Sequence, residues 1–167
     1  MDTLQEQHER WVGDDQVIDW YNSRHSTNFR FRGRCGAAPD LEYRDDGRFL
    51  RIEVVTAYYD GADDAKFLWL HARKRPDAPK KWSGCDFEAT LVENVNEALA
   101  EKCAKSYGPN CVLAVCVLPS LTFAKQMESL LGKISVPANN PFDGIYLCGQ
   151  FPAPIGSPAE RKVWQLA

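Results

Sequence analysis

The sequence predicts an α/β fold, a mixed sheet flanked by helices. Three observations lead there. The run "CVLAVCVL" (111–118) is apolar without interruption, as in a strand buried on both faces. In the second half strands alternate with helical segments, which implies parallel pairing. In the first half "PDLEY" and "RFLRIEVVTAY" flank the turn "RDDG", which implies an antiparallel hairpin.

Residues 3–24 carry Leu4, Trp11, Val12, Val17, Ile18, Trp20 and Tyr21 among polar residues, the spacing of an amphipathic helix with a bend at Gly13. "NFRFRGRCG" (28–36) alternates Phe with Arg, like a half-exposed strand. The hairpin follows. "DDAKFLWLHARK" suits a short helix opened by Asp63 or Asp64, and "RPDAPKKWSG" a loop. Residues 86–107 form the clearest helix, with Asp86 as N-cap and Gly108-Pro109 as the stop. After the apolar strand come a helix over 120–133 capped by Ser120, a strand "DGIYLCG" (143–149) and a last strand in "KVWQLA".

The 167 residues suffice for a single domain, 1–167, with its own core. A net charge of −3 leaves any anionic partner to a local basic patch. No apolar run approaches the roughly 20 residues of a membrane span. "MDTLQEQHERW" is polar and acidic, unlike a signal peptide, so a cytoplasmic location is expected. The six cysteines include no CxxC pair and no His at zinc-ligand spacing. Cys111, Cys116 and Cys148 lie in apolar runs and read as buried, reduced thiols. Dinucleotide, P-loop and GxSxG motifs are absent. Cys85, opening the long helix, is a remote candidate for a thiol nucleophile.

The hairpin carries the chemistry. Alternation puts Phe49, Arg51, Glu53 and Val55 on one face of the second strand. A carboxylate at Glu53, among apolar neighbours, needs a partner, since burying it alone costs several kcal/mol. Asp40, from the neighbouring strand, can converge with it. Two carboxylates and a few waters make a reasonable Mg²⁺ site.

Pro39-Asp40, then Glu53 after twelve residues, in a helix–strand–strand–helix–strand–helix–strand order, resembles the PD-(D/E)XK nuclease superfamily. The resemblance implies a three-layer restriction-endonuclease-like sandwich. It implies Asp40 and Glu53 as ligands of Mg²⁺ (or Mn²⁺), phosphodiester hydrolysis on DNA with RNA as a second substrate class, and it admits a homodimer. The family's lysine would stand at 55, where this chain has Val.

Lys102 is the candidate replacement. At about 100° per residue, Leu91, Val95, Ala98 and Lys102 share one stripe of the long helix. Lys105 comes second. Glu9, among the acids Glu6, Glu9, Asp14 and Asp15 of the first helix, is a candidate auxiliary acid, since some members draw a ligand from that helix. Arg73, Lys74, Arg75, Lys80 and Lys81 form the one dense basic run, suited to a phosphate backbone, and Arg30, Arg32 and Arg34 extend it if they share a strand face. Trp69, Trp82, Tyr58 and Tyr59 could stack on bases. Two readings result: a Mg²⁺-dependent nuclease, or a nuclease-like fold that binds nucleic acid or protein without cutting.

Overall fold

The first helix starts where its backbone donors find acceptors. In a computed structural model, which describes residues 3–58, 86–118 and 122–167, Thr3 caps the chain reciprocally with Glu6. Thr3 Oγ1 accepts from the Glu6 amide at 3.2 Å, and the Thr3 amide donates to Glu6 Oε2 at 2.6 Å. Helix α1 runs Leu4–Trp11, a π-helical stretch follows at Val12–Ile18, and α2 spans Asp19–His25. The distortion expected at Gly13 is a widened turn, and close packing accounts for the glycine. A Cβ on Gly13 would lie 2.3 Å from Tyr43 Oη and 2.5 Å from Leu41 Cδ1.

Strands β1 (Arg30–Arg34), β2 (Leu41–Asp45), β3 (Arg48–Ala57), β4 (Cys111–Val117), β5 (Gly144–Phe151) and β6 (Glu160–Gln165) form one six-stranded sheet in sequential order. β1–β2, β2–β3 and β5–β6 are antiparallel; β3–β4 and β4–β5 are parallel. The mixed α/β sheet read from the sequence is therefore present. β4 is buried at every position, as its unbroken apolar run requires.

Helix α3 (Phe87–Cys103), helix α4 (Ala124–Leu130) and a 3-10 turn at Leu131–Lys133 complete the described elements. Asp86 caps α3 by accepting from the Ala89 amide at 3.3 Å. Each sheet face has its own core. Val12, Val17 and Ile18 pack on Leu41, Tyr43, Ile52, Ala114 and Tyr146 on one side. On the other, Leu91, Val95, Leu99 and Met127 cover Leu113, Val115, Ile145 and Leu147. Each fully buried Leu or Val contributes about 1.5–3 kcal/mol. The three cysteines expected inside are free and buried.

Several boundaries differ from the sequence reading. α3 ends at Cys103 rather than 107, because the chain turns there to bury Tyr107. α4 begins at Ala124, with Phe123 at its N-cap and the Phe123 amide donating to Gln126 Oε1 at 2.9 Å, rather than at a Ser120 cap. β5 extends to Phe151. The short helix at Asp63 or Asp64, the loop at 75–84, Cys85 and Ser120 lie outside the described residues. Among the described residues no helix is long and apolar enough to cross a membrane.

Candidate active site where β2 and β3 separate

β2 pairs with β3 only as far as Leu41 opposite Ile52, while β3 continues beside β4 to Ala57. Beyond Ile52, the β3 edge has lost its antiparallel neighbour and its outward amides need other acceptors. Asp40 supplies one. Its Oδ2 accepts from the Val54 amide at 2.8 Å. Asp40, one residue before the last paired position of β2, lies close enough to Glu53 to feel its charge, so the two acids share the place where the hairpin opens.

Glu53 faces the α3 side of the sheet, and its side chain is only 4% exposed. Lys102, from the last turn of α3, donates to Glu53 Oε1 at 2.6 Å. The stripe drawn from the sequence thus delivers the ammonium to the acid, although the fully buried line of α3 is Leu91, Val95 and Leu99, with Lys102 beside it. Val55 packs against the core on the α3 and α4 side. Lys105 is elsewhere, paired with Glu101 at 2.6 Å on the surface.

Burial pushes the Asp40 carboxyl up to about 6; the Val54 amide opposes this, the charges of Glu53 and Glu9 reinforce it, and Lys102 offsets part of it. Three acids and one lysine therefore share an electrostatic neighbourhood. Glu9 is buried too, ion-paired to Arg34 and accepting from Gln5 Nε2 at 2.9 Å. Of the other acids of the first helix, Glu6 serves as the cap partner, and Asp14 accepts from Tyr43 Oη at 2.7 Å and pairs with Arg10.

A bulge brings Arg34 to this site. Phe31 pairs with Tyr43, but the next pair is Gly33 with Glu42, so Arg32 is an extra residue. Alternation resumes out of phase. Arg34 pairs with Leu41, whose side chain packs under the first helix, and leaves the face of Arg30. The expected shared face of Arg30, Arg32 and Arg34 is thus corrected. The isolated glycine in "RFRGR" is the sequence signal that marks such a bulge.

Two cavities adjoin the acids and share Gln5 and Glu9. One, about 300 Å³, is also lined by His8, Thr56 and Lys102. The other, about 590 Å³, reaches Arg34, Cys35 and Asp40. His8 Nε2 and Thr56 Oγ1 are 2.9 Å apart at the wall of the first. Two buried atoms stand without partners here, Glu53 Oε2 and Tyr107 Oη. Sequence reasoning missed Tyr107, which it placed in the last turn of the helix and which lies past the helix end at Cys103.

Among the described residues, no group of three or more His, Cys, Asp and Glu is arranged to hold a metal ion. The pair Asp40 and Glu53 is what could hold one, with water completing the shell. The basic run Arg73, Lys74, Arg75, Lys80 and Lys81, and the aromatics Trp69, Trp82 and Tyr59, lie outside the described residues. Comparison with protein-family models, with curated proteins and with solved structures gives no match in any of the three.

Proposed function

We propose that the chain is a PD-(D/E)XK-type nuclease that hydrolyses phosphodiester bonds of DNA at a two-carboxylate metal site formed by Asp40 and Glu53. One observation carries the reading. Where β2 and β3 part, the Lys102 ammonium sits 2.6 Å from Glu53 Oε1, beside an Asp40 that feels both charges. A lysine arriving from α3 supplies the positive charge that Val55 cannot. The sequential mixed sheet with helices on both faces is the arrangement expected of a three-layer restriction-endonuclease-like sandwich.

The donor set suits Mg²⁺ (or Mn²⁺). Glu53 Oε2 is a buried acceptor without a partner, and Mg²⁺ takes one or two carboxylates while keeping several waters. When bound, such an ion would polarise a phosphoryl oxygen and lower the pKa of a bound water. The chain's residues have separate tasks. Asp40 is fixed by the Val54 amide, so its carboxylate is held in place. Lys102 brings positive charge to where phosphoryl oxygens gain negative charge. Gln5 and His8 line the adjoining cavity. The run Arg73–Lys81 would meet the phosphate backbone.

The second reading is a non-cutting binding module. Val55 in the core and a Lys102–Glu53 pair that neutralises itself favour it. Cleavage assays on single- and double-stranded DNA and on RNA, with Mg²⁺ or Mn²⁺, decide. The nuclease reading expects metal-dependent cutting of DNA that Glu53→Ala and Asp40→Ala abolish. Cutting that survives Glu53→Ala removes the site assignment. Binding of nucleic acid without cutting selects the module.

A further inference from the structure

The Glu53 carboxylate has two oxygens in different situations. Oε1 receives Lys102 at 2.6 Å; Oε2 is buried with no partner. The Tyr107 hydroxyl is also buried without a partner at hydrogen-bond distance, and it feels the charge of Glu53. One is an acceptor and the other a donor. A buried polar group left unpaired costs about 1–3 kcal/mol, so two complementary ones in one electrostatic neighbourhood demand an account.

The segment that carries Tyr107 is anchored at several points. Its ring packs against Phe142 with centroids 4.7 Å apart. The next residue, Gly108, turns the chain at φ 75°. The Asn110 carbonyl then accepts from the Arg51 amide at 2.7 Å, fixing the segment to β3 two residues before Glu53. The same helix end therefore presents two groups to Glu53, Lys102 from its last turn and Tyr107 from the turn beyond it. A phenol is protonated at ordinary pH, so the Tyr107 hydroxyl is able to donate.

We propose that Tyr107 is a positioning residue for Glu53, its hydroxyl donating to Oε2 directly after a small side-chain rotation or through one buried water. Lys102 and Tyr107 then hold the carboxylate from both oxygens and fix its plane relative to Asp40. For metal binding the proposal rests on the nuclease reading; for the Tyr107–Glu53 contact it does not. Residues that orient a ligand in this way typically govern metal affinity by 10–100-fold.

Two measurements on the full chain test it. The first is a double-mutant cycle by urea unfolding, with Tyr107→Phe, Glu53→Met and both together. Coupling is expected to make the unfolding constant of the double variant depart about tenfold from the product of the single effects. Additive effects overturn the contact, since phenylalanine keeps the packing on Phe142. The second is calorimetric titration with Mn²⁺. Tyr107→Phe is expected to weaken binding at least tenfold, while Phe142→Leu, which loosens the ring without touching the hydroxyl, leaves it within twofold. Equal weakening by both variants overturns the positioning role. If the wild type binds no Mn²⁺, the nuclease reading falls and the cycle still decides the contact.

Discussion

Lys102 Nζ and Glu53 Oε1 lie 2.6 Å apart across 49 positions of sequence, joining the end of one helix to the middle of a sheet strand. The pair is well shielded, with 17% of the lysine and 4% of the glutamate side chain exposed. Removing one partner of such a pair leaves a buried charge alone, at about 3–5 kcal/mol, whereas removing both is often nearly neutral. Lys102→Met should therefore destabilise the protein by about 3 kcal/mol, and Lys102→Met with Glu53→Gln should recover most of that. Urea unfolding of the three proteins reads both. Equal stability of wild type and Lys102→Met would remove the pair from the fold.

Asp40 gives a pH signature. Its carboxyl is raised from 3.8 to about 6 by burial. A raised carboxyl means the folded chain holds its proton more tightly than the unfolded chain, so the contribution to stability is full below pH 3.8 and lost as pH rises through about 6. Asp40→Asn keeps an oxygen for the Val54 amide and carries no charge. It should match the wild type near pH 3.5 and exceed it above pH 7 by roughly 1–2 kcal/mol, allowing for solvent screening at a half-buried site. Under the proposed function, Mg²⁺ should narrow that gap by stabilising only the wild type. Thermal melts across pH, with and without Mg²⁺, check both halves.

The bulge in β1 separates its arginines by consequence. Arg34→Ala strands the buried Glu9 carboxylate and should cost about 2 kcal/mol or more. Arg30→Ala and Arg32→Ala, at exposed positions, should stay within about 0.5 kcal/mol. Denaturant midpoints for the three variants suffice. Equal effects would mean that the three side chains share a face after all.

Gly13→Ala should destabilise by about 1–3 kcal/mol, because its Cβ would enter the space of Tyr43 Oη and Leu41 Cδ1, and adding Tyr43→Phe should recover only the hydroxyl's share of the clash, the contact with Leu41 remaining. Tyr43→Phe alone costs the hydrogen bond to Asp14. Unfolding of the single and double variants tests the clash, and purely additive losses would place the strain elsewhere.

Much of this was legible in the residues. The unbroken run 111–118 identified the central strand, and period-two alternation gave Glu53 its face. Helical phase brought Lys102 to the correct side of α3. Two kinds of information were hidden. Arg34 required knowing that Gly33 marks a bulge, which reverses every side chain after it. Tyr107 was read as helical, and in the irregular segment where it lies helical phase does not tell which way it points. The early end of α3 has a related cause, since the burial of Tyr107 is a tertiary gain that local propensity does not register.

The π-helical stretch Val12–Ile18 sets the rotational phase between the two ends of the first helix. A π turn accommodates one residue more than an α turn. If the same residues wound at ordinary α pitch, with none removed, Leu4–Trp11 would turn by about 100° against Asp19–His25. Glu9 and His8 would swing away from Arg34 and Thr56, even with every side chain intact. The widened turn takes up one residue of extra length while keeping the acid and the imidazole aimed at the cleft.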